Sequence, residues 1–127
     1  MHRSRVYAIL IDTPSEAAAA AAAFWSAALG TSPRPLAAEP QFTSLPDALP
    51  GLVTAVQAIK DNTPRYHIDI ESDDVEAETA RLIAVGAVEI SRWQECRVLR
   101  APGGHLLCVL PVESSPEVFE SQARTWP

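Results

Sequence analysis

The clearest pattern in the chain is the alternation of residues 65–71 (RYHIDIE). Tyr66, Ile68 and Ile70 fall on one side, and Arg65, His67, Asp69 and Glu71 on the other. This predicts a strand with an apolar face to pack beneath a helix and a polar face for a cavity or solvent. Ser72-Asp73-Asp74-Val75-Glu76 then predicts a helix start, with Asp73 as the cap and Glu76 placed to reach back. Val75, Thr79, Leu82 and Ile83 recur at helical spacing, and Gly86 supplies the stop.

The same succession opens the chain. Arg5–Asp12 (RVYAILID) is an apolar run of strand length. Thr13-Pro14-Ser15-Glu16 reads as a capping box, with a proline at the first helical position. The alanines of 17–23 lead to Phe24, Trp25, Ala28 and Leu29, stopped by Gly30, so a helix packed closely on a sheet is expected, with Phe24 and Trp25 as core anchors. Prolines 33, 35, 40, 46 and 50 break the next stretch into short edge strands and turns. Further strands are predicted at Gly51–Ile59, Ala87–Trp93, Glu95–Ala101 and, after the Pro102-Gly103-Gly104 turn, His105–Pro111. Ser114-Ser115-Pro116-Glu117 begins a last short helix or tail that ends at an exposed Trp126. His2 is expected to be mobile, and His105 to be a turn-end residue.

Setting VYAILID (6–12) against RYHIDIE (65–71) exposes an internal repeat: Tyr7 matches Tyr66, Ala8 matches His67, and Asp12 matches Glu71. The predicted order is βαβββ–βαβββ, an α+β fold. We read residues 1–127 as a single domain, with module one at 4–60, module two at 64–111 and a tail at 112–127. Each module buries one sheet face under its helix and leaves the other free to line a cleft.

A chain of 127 residues holds one real core. Its formal net charge of −6 and scattered arginines argue against nucleic acid. No stretch has the length of a membrane span or the form of an export signal, so a cytoplasmic protein is expected. Cys96 and Cys108, twelve residues apart, form neither a redox CxxC nor a zinc pair, and are expected as reduced thiols. Phosphate-binding glycine loops and nucleophile elbows are absent from the sequence.

Three segments, IDTP…FWSAALG (11–30), PRYHIDIESDDVEAETARLIAVGA (64–87) and VLRAPGGHLLCVL (98–110), make the sequence resemble the glyoxalase/bleomycin-resistance/extradiol-dioxygenase superfamily, the vicinal oxygen chelate fold. They are similar to its small glyoxalase-like domain proteins. The resemblance implies two βαβββ modules forming a U-shaped cleft, and a homodimer. In metal-using members, ligands come from the first and last strands of the modules. Carried onto this chain, those positions fall on Ala8, which has no donor, on Gln57 (or Ala55), on His67 and on Cys108, where a carboxylate is common. Asp69 lies two residues beyond His67 on the same face, about 6.6 Å along the strand. One imidazole, one amide and one thiol make a poor catalytic set.

No cofactor is therefore expected. A divalent metal on His67, Gln57 and Cys108 is the alternative. The alternation predicts a mostly apolar cleft lined by Leu10, Val53, Ala55, Gln57, His67, Leu106, Cys108 and Leu110. Candidate ligand-binding residues are Gln57, Arg65, His67, Asp69, Trp93 and Cys108, with His67 as the candidate for acid–base chemistry. The leading expectation is metal-independent binding of a small apolar or aromatic molecule. The others are a metal-dependent lyase, isomerase or dioxygenase using His67, and a non-catalytic partner-binding module.

Overall fold

The computed structural model describes residues 1–127. The strands are β1 (His2–Pro14), β2 (Arg34–Pro35), β3 (Phe42–Ser44), β4 (Val53–Ile59), β5 (Arg65–Ser72), β6 (Val88–Trp93), β7 (Cys96–Arg100), β8 (Leu106–Pro111) and β9 (Arg124–Trp126). The helices are α1 (Ala18–Leu29), α2 (Val75–Ala84) and α3 (Pro116–Gln122). The predicted α+β order, βαβββ twice, is the one observed, followed by α3 and β9. No helix is long and apolar enough to cross a membrane.

By contacts the chain divides into a contiguous unit, Ala8–His67, and a composite unit made of Met1–Tyr7 with Ile68–Pro127. In the contiguous unit, β1 runs parallel to β4, from Ala8 opposite Val53 to Pro14 opposite Ile59. β3 is antiparallel to β4, and β2 to β3. In the composite unit, β5 runs parallel to β8, with β7 and then β6 antiparallel beyond it. The repeat legible in the sequence is thus a repeat of pairing: in each module the last strand lies parallel beside the first.

Each helix buries a stripe of its own sheet. Ile11, Ala22, Leu45 and Val56 form one buried cluster, with Trp25 packed against it. Ala87, Leu99 and Val109 form the other, with Val75 and Leu82 from α2. A fully buried Leu99 or Val109 contributes about 1.5–3 kcal/mol. Alternation then fixes the opposite faces: Ala8, Leu10 and Asp12 on β1, and Ala55 and Gln57 on β4, point away from α1.

Several local expectations are corrected. The capping box at Thr13 does not form: β1 continues to Pro14, a 3₁₀ turn covers Ser15–Ala17, and the Thr13 hydroxyl donates to Ile11 O. Asp74, not Asp73, caps α2 by accepting from the Ala77 N–H, because Asp73 is occupied by the Arg3 N–H and Nε. Glu76 does not reach back; it pairs with Arg97. Phe24 is 62% exposed, so Trp25 alone is the aromatic anchor of α1. The helix stops behave as read. Gly30 adopts φ 71°, and Gly86 adopts φ 122° with Pro102 2.9 Å from where a Cβ would stand.

The chain ends also differ from expectation. His2 is buried, and β9 pairs with residues 2–4 of β1. Glu78, wholly buried, gathers both ends. It receives Ser4 Oγ and His2 Nε2 at 2.7 Å each, and a two-pronged contact from Arg81. Trp126, expected to be exposed, donates from Nε1 to Ser4 Oγ and lies under the Arg81 guanidinium, 3.6 Å from its ring centroid. Burial pushes the Glu78 carboxyl up, but the hydrogen bonds from Arg81, His2 and Ser4 outweigh it and the net shift is downward.

Candidate functional site

The site grows from the polar face of β5 and from Asp12, near the end of β1 on the face turned away from α1. His67 Nδ1 lies 2.6 Å from Asp12 Oδ2, with the side chains 11% and 4% exposed. A carboxylate only accepts, so Nδ1 donates. Asp12 thereby fixes the tautomer and the ring plane, as carboxylates behind functional histidines do. Arg65, two residues back on the same face of β5, places Nε 3.7 Å from Asp12 Oδ2. Its Nη1 donates to Asp61 Oδ2 and to Thr63 O. The Thr63 N–H, and then Arg65, hold the Asp61 carboxyl below its ordinary range.

The second oxygen of Asp12 is different. Asp12 Oδ1 and Arg65 Nε are both buried without a hydrogen-bond partner. Beside them the face is apolar, with Leu10 and Ala55 buried. Gln57 is the direct register partner of Asp12 and is half-buried. The contiguous unit therefore combines an oriented imidazole, a partly satisfied carboxylate and a guanidinium against small apolar walls. Such a set can anchor one polar group of a small molecule.

The composite unit holds the repeat-equivalent carboxylate. Glu71 is wholly buried. Its Oε1 accepts from the Glu113 and Ser114 N–H groups, its Oε2 accepts from Ser114 Oγ, and Arg5 Nη1 stands 3.6 Å away. It is a fastening for the segment after β8. Tyr7, half-buried nearby, has its phenol pushed up by burial and then by Glu113, Glu71 and Asp69.

Among the sequence candidates, Arg65 and His67 are thus brought together on Asp12, with Gln57 beside it. Asp69 and Cys108 are register partners across β5 and β8. Trp93 sits at the end of edge strand β6 and is 64% exposed. Both cysteines are half-buried thiols. Asp12 was not among the candidates. Its match to Glu71 in the repeat carried the signal, since a carboxylate recurs at the same place near the end of both first strands.

The superfamily's metal set is not reproduced. Ala8 is a buried methyl at one ligand position, Gln57 is a neutral amide, and His67 is the one imidazole of the set. His67, Asp69 and Cys108 each carry one ligand-type atom on a half-buried side chain. The sequence profile of the glyoxalase-like domain matches residues 8–110 of the chain. No curated protein matches the chain in sequence.

Proposed function

Given that the chain belongs to the glyoxalase-like domain family, we propose that it binds a small, mainly apolar molecule without a metal, through the Asp12–His67 pair. The observation that carries the anchor is the buried 2.6 Å contact between His67 Nδ1 and Asp12 Oδ2, which gives the ring a fixed orientation. What speaks against a metal is Ala8, a buried methyl at a ligand position. A bound molecule meets the Asp12–His67 pair and Arg65 with its polar end, while Leu10 and Ala55 take up its apolar body. Arg65 offsets the Asp12 charge, which keeps the carboxylate compatible with an apolar neighbourhood. Small-molecule sites have this composition, mostly apolar with a few fixed polar groups.

The test combines elemental analysis with a thermal-shift screen of apolar and aromatic compounds. Protein exposed to Zn, Ni, Mn or anaerobic Fe(II) is expected to retain no stoichiometric metal. At least one aromatic compound is expected to raise the unfolding temperature of the wild type and not of His67→Ala. A stoichiometric cation lost in His67→Ala would overturn this reading in favour of a metal-dependent one that uses His67.

A further inference from the structure

We propose that the polar end of the bound molecule is a hydroxyl, which donates to Asp12 Oδ1 and accepts from Arg65 Nε. This rests on the reading of the Asp12–His67 pair as a ligand anchor. The two unpartnered buried atoms of the contiguous unit are of opposite kinds, one acceptor and one N–H donor. They belong to a single ion pair, yet they cannot satisfy each other across it. Arg65 Nε stands 3.7 Å from Asp12 Oδ2, beyond hydrogen-bond range, and that oxygen already accepts from His67. Arg65 is also tethered from its other end by Asp61 and Thr63.

Leaving either atom unpaired in a buried position is costly. The group that relieves both must donate and accept, and elimination identifies it. A carboxylate would satisfy Arg65 Nε and repel Asp12 Oδ1. An ammonium would do the reverse. An ether accepts only. A hydroxyl oxygen does both at one atom, and so does water.

Benzyl alcohol, benzyl methyl ether and benzoate, titrated by calorimetry into the full chain, test this. The alcohol is expected to bind about tenfold or more tightly than the ether, the difference made by one hydrogen bond to a charged group, with benzoate weakest. In Asp12→Asn the amide oxygen stays on His67 and the NH₂ turns toward the site, so the ranking inverts and benzoate becomes strongest. Arg65→Gln, at a side chain one-third exposed, is the second variant and is expected to weaken the alcohol should Asp12→Asn not fold. Equal binding of alcohol and ether, or an unchanged ranking in a folded Asp12→Asn, would overturn the hydroxyl assignment while leaving the binding reading intact. Binding of none of the three would remove both. In crystals of the alcohol complex the hydroxyl oxygen is expected on Asp12 Oδ1 and Arg65 Nε; a water retained there overturns the assignment.

Discussion

Asp12 and Glu71 occupy matching positions in the two repeats, and the chain treats them in opposite ways. Glu71 has both oxygens filled, by two backbone N–H groups and a serine hydroxyl, with Arg5 nearby. Asp12 has one oxygen on His67 and the other on nothing. Both are buried, so the difference is not one of exposure. It lies in what the neighbouring segments supply. The turn after β8 folds its amides onto Glu71, whereas the connector after β4 sends Asp61 to Arg65 and Asp12 is met only by His67 and, at 3.7 Å, by Arg65. Of two carboxylates at matching positions of the repeat, one is a fastening and the other leaves one oxygen without a hydrogen-bond partner.

The comparison is broken most directly at Glu71. Replacing it with Ala leaves Arg5 buried without its carboxylate and three donors unpaired, and is expected to cost about 3–5 kcal/mol in urea unfolding. A loss no larger than that of Asp12→Asn would erase the distinction. Glu78→Gln is the next largest, at about 2–3 kcal/mol, since Glu78 is also fully satisfied. Its carboxyl lies below the ordinary value of 4.5 in the folded chain. The folded state therefore holds fewer protons, so this stability is fully present above about pH 4.5 and is lost as pH falls through the lower folded value. Unfolding curves of the wild type and Glu78→Gln are expected to converge over that acid range.

Asp12→Asn sharpens the contrast from the other side. It keeps an acceptor on His67 and is expected to cost only about 1 kcal/mol of stability, while changing ligand ranking, measured by calorimetry. Smallest of all is Phe24→Ser. With Phe24 62% exposed, its melting temperature is expected to stay within the range of about 0.5 kcal/mol typical of surface changes. A larger loss would restore Phe24 to the core.

Much of the architecture was legible because two periods alternate cleanly. RYHIDIE has a period of two, and the spacing of Val75, Thr79 and Leu82 is helical; both elements lie where those patterns put them. What failed was competition for side chains. Thr13, Asp73 and Glu76 each have the right chemistry for a cap. Thr13, however, turns back to Ile11, Asp73 is taken by Arg3, and Glu76 by Arg97. For Asp73 and Glu76 the contest is decided by residues distant in the chain, which local pattern does not register. His2 and Trp126 illustrate the same limit, since their partners Glu78, Arg81 and Ser4 are remote in sequence. At the site, His67 and Arg65 could be read from one strand face. Asp12 needed the repeat to be interpreted as chemistry and not only as topology.

The composite unit has a consequence for the order of events during synthesis. The contiguous unit draws only on residues 8–67, so its strands and helix are complete once that stretch has emerged. The composite unit closes β1 with residues 124–126 and seats Trp126 against Ser4 and Arg81. Its first strand is made among the earliest residues and its last among the latest, a pairing of the largest sequence separation in the chain. A nascent chain halted after residue 110 is expected to protect amides of 8–67 from hydrogen exchange while residues 2–4 remain open. Equal protection in both stretches would show that the late residues are not awaited.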